Sequence, residues 1–467
     1  MKKLYIILLV AVTGLTLSCS NYLDIKPYGR TIPKTAEEFS ALLHTHLGSI
    51  DEGTDVVLVG NASQWLTWDA ECGDDFETCL TGSGGKTLRK YVGDLTGSSA
   101  SANLYRNLYQ VIRDCNLVLH EMEEKGTKEA DKVLATAYAL RGVAYYQLMR
   151  LFCEAPRVGQ FSNQLGLPLV MTFDMEAKPT RSSLQGTIDL IEDDLKESLR
   201  FKMNDAVYRF TEDVVQGYLA RLYFWTKQWE KALPLAQSLL AKYPLLGGEA
   251  YASMMTTTYA LTGNQLLKSY RSVSTSGNQS LTGANNTVKH RPVSKRLLAN
   301  FPEQEDDIRK KLWVNDKREN TKVFFCGMRA AEFKFMEAEC YYHLNQKEQA
   351  LQSINQLRAQ RITDAKPLSM DQLPKPLATE IIQVDALGQP LTPLLRLILT
   401  ERRKEFYLEG DRFFEQKRNG TPEYWTAYNG RKYVTEKFMY TLPLPISNIN
   451  MVDKLEQNPG YHEIKSN

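Results

Sequence analysis

The stretch from Val214 to Pro244 constrains the fold of this chain more than any other, because it carries two apolar patterns at helical spacing, one directly after the other. The polar residues Lys227 and Gln228 fall between the two patterns as a short turn. Pro244 ends the second pattern, since proline offers no N–H and clashes with the preceding helical turn. The apolar positions are Val214, Val215, Tyr218, Leu219, Leu222 and Tyr223 in the first pattern and Ala232, Leu235, Ala236, Leu239 and Leu240 in the second. The stretch therefore predicts two helices packed back to back.

The order of small and large residues in this helix pair matches the tetratricopeptide pattern, in which small residues let two helices approach and large ones fill the groove. That order is Ala220, Tyr223, Trp229, Ala232, Ala236 and Pro244. The unit recurs in residues 329–362, where Ala338 and Ala350 repeat the 12-residue interval between the first two small residues (220 to 232, 338 to 350). A split third copy combines residues 140–151 with residues 187–199. Because a helix pair cannot bury its apolar face alone, we predict a mainly all-α fold of stacked pairs; unrelated helical hairpins are the alternative.

The segment from Met1 to Ser18 is predicted to be a targeting signal. Two lysines precede an apolar stretch that is shorter than the roughly 20 residues a membrane-spanning helix needs. The stretch ends in Leu17-Ser18-Cys19, which is similar to a bacterial lipobox, although Thr16 stands where an aliphatic residue is usual. We therefore predict that Cys19 becomes the lipid-modified mature N-terminus, with an ordinary secretory signal as the alternative.

The composition argues for a folded globular body and against nucleic-acid binding. Hydrophobic residues make up 43% and charged residues 24% of the 467 residues, as in ordinary globular proteins. The formal net charge is only +2, and no basic run is interleaved with aromatic residues. No later stretch is long and apolar enough to span a membrane.

The cysteines and histidines give no metal-binding pattern. The sequence has no C-x-x-C pair, and its six histidines lack metal-ligand spacing. Cys115, Cys153 and Cys340 lie in or beside apolar helical patterns and are predicted to be buried thiols. Cys72 and Cys79 are close enough in sequence to pair in an exported protein, and the sequence leaves that pairing open.

Four blocks spread along the chain resemble, in the same order, segments of one known protein family. The first, NYLDIKPYG (21–29), follows Cys19 directly and reads as extended, because proline and glycine interrupt it. The others are LRGVAYYQLMRLFCEAPRV (140–158), ERRKEFYLEGDRFFEQKRNG (401–420) and LPLPISNINMVDKLEQNPGY (442–461). In this order the blocks resemble the mature start, the first long helix, the Glu-Arg-Arg-rich helix and the closing segment of SusD/RagB-type lipoproteins of Bacteroidetes.

The resemblance implies a single SusD-like domain over residues 19–467, with tetratricopeptide-like helix pairs on one side and a loop-rich ligand-binding side. The helix pairs fall near 132–200, 213–244, 329–362 and 394–418, and the variable parts near 60–100 and 247–328. It also implies a lipid-anchored, surface-exposed protein of the outer membrane that closes a SusC-like TonB-dependent transporter. Such proteins capture glycans, and some members capture peptides.

The first stretch that points to a ligand is WLTWDAECGDDFE (65–77). Trp65 and Trp68 are at i and i+3 and would share one face of a helix. Aromatic faces stack on the C–H surfaces of sugars, while carboxylates and amides accept hydrogen bonds from hydroxyl groups. The candidate ligand-binding residues here are Asn61, Trp65, Trp68, Asp69 and Asp74. The alternative is that the tryptophans belong to the core, where tryptophan is usually found.

The acidic residues of this stretch raise the question of a metal ion. They are Asp69, Glu71, Asp74, Asp75 and Glu77. Calcium takes six to eight oxygen ligands, but this cluster does not follow the helix-loop-helix calcium pattern. We predict that the cluster is a solvated acidic turn and that the protein has no metal and no cofactor. A calcium site is the alternative.

The second stretch that points to a ligand is Gly247 to Val293, which is rich in Gly, Ser, Thr and Asn and lies between the two clearest helix pairs. Tyrosine offers both a flat face and a hydroxyl, which suits ligands rich in hydroxyl groups. Tyr259, Tyr270 and Arg271 are the candidate ligand-binding residues, and Tyr251 lies in the same stretch. A plain exposed connector is the alternative.

Most of the charged and aromatic residues singled out between 313 and 428 are predicted to have structural roles. Arg402, Arg403, Glu405, Glu409, Asp411 and Arg412 have spacings that suit ion pairs along one helix rather than catalysis. Trp313 is predicted to pack in the core. The group of Tyr424, Trp425 and Tyr428 either meets the ligand face or caps the core.

We predict from these features a non-catalytic protein that binds glycan and delivers it to its transporter. A peptide-capturing RagB-like protein is the first alternative, and a pure interaction scaffold is another. A glycoside hydrolase is less favoured, because that chemistry needs two carboxylates flanking a sugar and the sequence singles out no partner for Asp74.

Overall fold

The structure is a computed structural model. It describes residues 33–55, 58–60, 69, 73–77, 98–172, 174, 176–258, 260–269, 288, 291–302, 304–428 and 431–461. The targeting segment with Cys19 and the Cys72–Cys79 pair lie outside the described residues.

Helices dominate the described part of the chain and confirm the predicted mainly all-α fold. They are α1 (Ala36–Asp51), α2 (Ser98–Glu121), α3 (Lys128–Phe152), α4 (Leu184–Arg200), α5 (Glu212–Trp225), α6 (Trp229–Lys242), α7 (Gly248–Thr256), α8 (Lys295–Leu298), α9 (Ile308–Trp313), α10 (Ala330–His343), α11 (Lys347–Ala359), α12 (Pro393–Glu405), α13 (Arg412–Arg418) and α14 (Ile446–Met451). From α2 to α6 each helix packs on the next, and α6 then packs on α10, α10 on α11 and α11 on α12. This series of paired helices, called the stack below, is the frame of the molecule.

Local chemistry sets the ends of the helices in the stack. The hydroxyl of Thr127 accepts a hydrogen bond from the N–H of Ala130 (3.1 Å) where α3 begins. Thr392 does the same for α12, whose first residue is Pro393, a position where the missing N–H of proline does no harm. Helix α6 ends at Lys242, just before Pro244.

Small residues stand where α5 meets its neighbours. Ala220 on α5 and Ala232 and Ala236 on α6 are fully buried. A Cβ atom added at Gly217 of α5 would lie 2.3 Å from the Sδ atom of Met328, so only glycine permits this approach without a shift. The alanine and glycine positions therefore let the two helices and the strand beside them come together.

Three antiparallel two-stranded ribbons accompany the helices in the described residues. They are β1 (Leu165–Pro168) with β2 (Arg181–Ser183), β3 (Gln265–Lys268) with β4 (Gly327–Arg329), and β5 (Tyr424–Tyr428) with β6 (Arg431–Thr435). In the second ribbon Gln265 pairs with Arg329 and Lys268 with Gly327. We call residues 247–326 the insertion; they contain α7, β3, α8 and α9, and β4 leads from them into α10.

The insertion forms a hydrophobic cluster together with Phe76 and Tyr407, separate from the core of the stack. Its described members include Phe76, Tyr251, Val293, Trp313 and Tyr407. Trp313 is only 2% exposed and its ring stacks on that of Tyr407, which confirms its predicted packing role. Tyr251 is fully buried here, so this tyrosine of the polar stretch belongs to the core and not to the surface.

The buried thiols were predicted correctly. Cys115, Cys153 and Cys340 are free and fully buried, and Cys326 joins them as a fourth buried thiol among the described residues. Burial raises the pKa of the Cys115 thiol above its ordinary value, so its reactive thiolate form is suppressed.

The prediction of ion pairs along one helix at residues 402–412 was wrong in its geometry. Helix α12 ends at Glu405, and the chain then turns through Leu408 (φ 57°) and Gly410 (φ 75°) before α13 begins. The charged side chains therefore point to several other elements. Only a few of the pairs run along a helix, such as Lys404 with Glu401.

No helix in the described ranges has both the length and the apolar character that a membrane crossing would require.

Candidate functional site

The two stretches that the sequence singled out for ligand binding meet in the structure. We call the described residues of 58–60, 69 and 73–77 the first arm and residues 291–296 the second arm. Phe76 and Val293 form an antiparallel bridge, and the N–H of Glu77 donates to the carbonyl of Pro292 (2.9 Å). Ser294 donates its N–H to the carbonyl of Asp75 (2.8 Å). The arms are thus joined by backbone hydrogen bonds although they are far apart in sequence.

The first arm rests on residues 401–416, which we call the floor. Arg412 donates from Nε and Nη2 to the carboxylate of Asp74 (2.7 and 3.1 Å), and Gln416 adds a third hydrogen bond (3.0 Å). Arg403 pairs with Asp75 at 2.6 Å and also reaches Asp74 at 3.0 Å. The two carboxylates are 1% exposed, so this junction is shielded from solvent. Buried pairs of this kind are destabilising to break, because one charge is then left without its partner.

The charge states at this junction follow from burial and from the arginines. Burial by itself would raise the pKa of the Asp74 carboxyl, but Arg403 and Arg412 outweigh burial and hold that pKa below its ordinary value. Burial raises the pKa of Asp75 above its ordinary value. The charge of Asp74 raises this pKa further, while Arg403 lowers it without cancelling the effect of burial. Asp74 therefore stays ionised at neutral pH, and it connects the first arm to the floor.

Each side of residues 61–68 is fixed by a carboxylate. On one side the Asp55 carboxylate accepts from the N–H groups of Leu58 (3.1 Å), Val59 (2.7 Å) and Gly60 (2.9 Å). On the other side Asp69 is fully buried and accepts from the N–H of Gly410 in the floor (2.6 Å). Asn61, Trp65 and Trp68 belong to the residues between these two anchors and lie outside the described residues.

The predicted residues of the second stretch also lie outside the described residues: Tyr259, Tyr270 and Arg271. The described residues beside Tyr259 are fixed by Lys268, whose buried ammonium donates to the carbonyls of Thr257 (2.7 Å) and Ala260 (3.2 Å).

Asp69 and Asp74 are the two predicted ligand contacts that the structure describes, and neither carboxylate faces the surface. Asp69 is 0% and Asp74 is 3% exposed. Burial raises the pKa of Asp69 well above its ordinary value, and the nearby Asp75 adds to this effect. Both residues hold the first arm on the floor, so what they do in the structure is position the segment that carries the two tryptophans.

The acidic cluster does not form a calcium cage in the part of the chain that the structure describes. Asp74 and Asp75 face arginines, and Glu77 accepts from the N–H of Lys295 (3.0 Å) and lies 3.4 Å from Arg318. Glu71 lies outside the described residues. No group of three His, Cys, Asp or Glu side chains suited to a metal ion occurs among the described residues.

A network of ion pairs that was not predicted from the sequence connects the insertion to the stack. Glu405 on α12 pairs with Arg329 at 2.6 Å and with Arg361 at 2.9 Å, and Arg309 lies 3.4 Å away. Glu409 pairs with Lys322 at 2.6 Å. Burial would raise the pKa of Glu405, but the arginines outweigh it and hold the pKa well below its ordinary value. The partners come from distant parts of the chain, which local spacing cannot detect.

A second aromatic surface lies on the ribbon of β5 and β6. Trp425 is 59% exposed, so it does not cap the core, and its strand partner Val434 is 39% exposed. The ammonium of Lys432 lies 5.3 Å from the centre of the Trp425 ring. Trp425 is therefore an exposed aromatic candidate for ligand contact that is separate from the arms.

Two protein-family models match this chain. A model of the SusD family matches residues 250–461, and a family model described as "Starch-binding associating with outer membrane" matches residues 21–224. The two matches cover separate parts of the chain and together extend over most of it. No curated protein sequence matches the chain.

Solved structures share the fold at low sequence identity. A SusD superfamily protein from Bacteroides fragilis superposes with a TM-score of 0.69 at 19% identity, covering 91% of this chain and 100% of its own. One from Bacteroides thetaiotaomicron gives 0.68 at 20% identity with the same coverage. A SusD-like carbohydrate binding protein from Bacteroides vulgatus gives 0.64 at 19% identity, covering 91% of this chain and 98% of its own.

Proposed function

The chain belongs to the SusD family, and from this membership we propose that it binds glycan at the cell surface and delivers it to a SusC-like TonB-dependent transporter in the outer membrane. At the family level the matches support carbohydrate or nutrient binding and association with the outer membrane. The glycan, the transporter and the lipid anchor at Cys19 are the parts that this proposal adds.

The observation that carries the proposal is that the two arms are bridged to each other and that the first arm is anchored on the floor. Residues that flank Trp65 and Trp68 are held by Asp55 on one side and by the contact of Asp69 with Gly410 on the other. Fixed flanks reduce the conformational entropy that a loop loses when it binds a ligand. Tryptophan faces suit the C–H surfaces of sugar rings, so we assign ligand contact to Trp65 and Trp68, with Asn61 beside them.

The second stretch is continuous in sequence with the second arm, and we propose that its candidate residues face the same ligand. Tyr259, Tyr270 and Arg271 are proposed to add hydroxyl and guanidinium groups that hydrogen-bond to sugar hydroxyls. A site formed by a few polar groups around aromatic residues is the usual arrangement for small ligands.

The stack is the proposed surface for the transporter. Helical repeats that each contact only their neighbours produce broad, continuous surfaces suited to a large partner. The lipid on Cys19 would hold the protein at the membrane beside that partner, since two or more acyl chains give stable anchoring.

A binding role is favoured over catalysis by the state of the described carboxylates. Glycoside hydrolysis needs two carboxyl groups, roughly 5 to 9.5 Å apart, on either side of the sugar bond. The side chains of Asp74, around which the candidate acids of the sequence lie, and of its neighbour Asp75 are 1% exposed and pair with arginines. A sugar cannot reach them without breaking those pairs.

Calorimetry against a panel of neutral and acidic oligosaccharides tests the proposal. Trp65→Ala and Trp68→Ala are expected to weaken binding of the active glycan about tenfold or more, since stacking aromatic groups contribute strongly to recognition. Trp425→Ala tests the aromatic candidate of the β5–β6 ribbon and should leave binding unchanged if Trp65 and Trp68 form the site. Loss of binding only in Trp425→Ala would move the site to the β5–β6 ribbon, and binding of peptides alone would refute the glycan assignment.

A further inference from the structure

A cavity of about 100 Å³ lies between the stack and the floor, beside the first arm. Its walls come from α3, α5, α10 and the chain from residue 402 to residue 418. The aromatic residues of the wall are Tyr146, Phe224, Trp225, Phe325, Phe406 and Phe414. We call it the arginine cavity, because five arginines also line it.

Four of the five arginines hold a carboxylate. The pairs are Arg221 with Glu332, Arg329 with Glu405 and Glu409, Arg402 with Asp411, and Arg418 with Glu339. The Arg221 pair is bidentate, with both N···O distances at 2.7 Å. These guanidinium groups are therefore neutralised by protein side chains.

Arg150 is the exception. It lies on the last turn of α3, and within the described residues no carboxylate comes within 4 Å of its guanidinium and its Nε has no hydrogen-bond partner. Instead the guanidinium carbon lies 3.6 Å from the centre of the Phe414 ring. The ring centres of Tyr146 and Trp225 are 5.4 and 5.5 Å from it. Aromatic faces attract a cation but leave its N–H donors without acceptors.

None of the carboxylates in the wall, Glu332, Glu409, Asp411 and Glu415, lies within 4 Å of the Arg150 guanidinium. Burial raises the pKa of Glu415 above its ordinary value, which favours its neutral form. Two further buried donors of the wall, Arg402 Nη1 and Trp225 Nε1, also lack an acceptor among the described residues.

We propose that the arginine cavity binds a small free carboxylate, such as acetate or propionate, with its two oxygens on the guanidinium of Arg150. A guanidinium presents paired N–H donors that match the two oxygens of a carboxylate. The apolar end of the anion would lie against the aromatic wall. A cavity of roughly 150 Å³ holds one benzene molecule, so about 100 Å³ suits an anion of a few heavy atoms and is too small for an oligosaccharide. This site is therefore distinct from the glycan site.

Titration of the purified protein with acetate and propionate at constant ionic strength tests this assignment. The melting temperature is expected to rise with anion concentration, because a ligand that binds only the folded state stabilises it. Line broadening of ¹³C-labelled acetate in NMR spectra reports binding directly. Propionamide, which has the shape but not the charge, and chloride are expected to give no comparable rise. An equal response to either would refute the carboxylate assignment.

Substitution of Arg150 separates this site from a general salt effect. Arg150→Met is expected to weaken the apparent affinity about tenfold or more, since hydrogen bonds to charged groups are strong. Its melting temperature without anion is expected to equal or exceed that of the wild type, because a buried charge without a partner is removed. Arg106→Met, at an exposed arginine of α2, is the matched control and is expected to respond as the wild type does.

Arg150→Lys covers the case in which the methionine variant does not fold. It keeps the charge but loses the paired donors, so it is expected to fold and to bind the anion more weakly than the wild type. An unchanged response in Arg150→Met or in Arg150→Lys would refute the proposal, as would the absence of any response in the wild type. None of these results depends on whether the protein binds a glycan.

Discussion

Arg412 donates two hydrogen bonds to the carboxylate of Asp74, at 2.7 and 3.1 Å, although the two residues are 338 positions apart in the chain. This contact joins the start of α13 to the segment that the sequence analysis singled out for ligand binding. The scaffold and the proposed recognition surface therefore share one buried charge pair.

Removing the charge of Asp74 is expected to destabilise the fold. In Asp74→Asn, Arg412 and Arg403 each lose one of their two buried carboxylate partners, and the free energy of unfolding should fall by about 3–5 kcal/mol. Urea denaturation measures the change. Glu197→Gln is the control: it breaks the exposed pair with Arg200 and should alter stability by about 0–1 kcal/mol.

The same variant also tests the catalytic alternative. A binding protein should show no turnover of oligosaccharide before or after the change. Turnover by the wild type that disappears in a stably folded Asp74→Asn variant would contradict the binding role proposed for this junction.

Stability is expected to rise with pH because of Lys417. Its buried ammonium donates to the carbonyls of Arg150 (2.6 Å) and Cys153 (2.7 Å), and burial lowers its pKa from 10.5 to about 7. Between these two pH values the unfolded state binds more protons than the folded state, so the contribution of Lys417 to the free energy of unfolding grows as pH rises from about 7 towards 10.

Lys417→Met should remove this contribution, which urea denaturation at pH 7, 8 and 9 would detect as a smaller change of stability with pH. Lys375→Met, at an exposed lysine, should keep the pH dependence of the wild type. The interpretation fails if the Lys417 variant keeps that dependence as well.

The close approach at Gly217 predicts intolerance of a single methyl group. In Gly217→Ala the new Cβ would meet the Sδ and Cε atoms of Met328 at 2.3 and 2.9 Å, and overpacking of this kind costs about 1–3 kcal/mol. Gly186→Ala in α4 is the matched control, since the nearest atom there is 3.6 Å away. The control should be neutral or more stable by up to about 1 kcal/mol, because alanine favours a helix over glycine. Equal melting temperatures for the two variants would show that Met328 simply moves aside.

Lipid attachment is expected to depend on Cys19. Cys19→Ala should abolish incorporation of labelled fatty acid and release the protein from the membrane fraction, because a chain without acyl groups loses its anchor. Cys115→Ala, at a buried free thiol, should keep the label. Labelled lipid on the Cys19 variant would instead favour an anchor elsewhere in the chain.

The stack could be predicted because its signals are local. Val214, Tyr218 and Leu222 recur at the spacing of one helical face, and Lys227 marks the turn to the next helix, so each pair is visible within a short window of sequence. The need to bury the apolar face of each pair then supplies the stacking without further information.

The site could be predicted only in part. The sequence marked both stretches from their composition, but the bridge between Phe76 and Val293 joins residues that no short-range pattern relates. The same limit explains the error at residues 402–412. Helical spacing was extended through Leu408 and Gly410, where the backbone takes left-handed conformations, and the glycine was the one local sign of that break.

The insertion shares a hydrophobic cluster with Phe76 and Tyr407, and buried ion pairs of Arg309 and Lys322 connect it to Glu405 and Glu409. The contacts that stabilise the fold are therefore buried and do not depend on the exposed residues. Sequences that retain these contacts can exchange the exposed residues for others with little risk to the frame, so related proteins can diverge in what they recognise without having to evolve a new architecture.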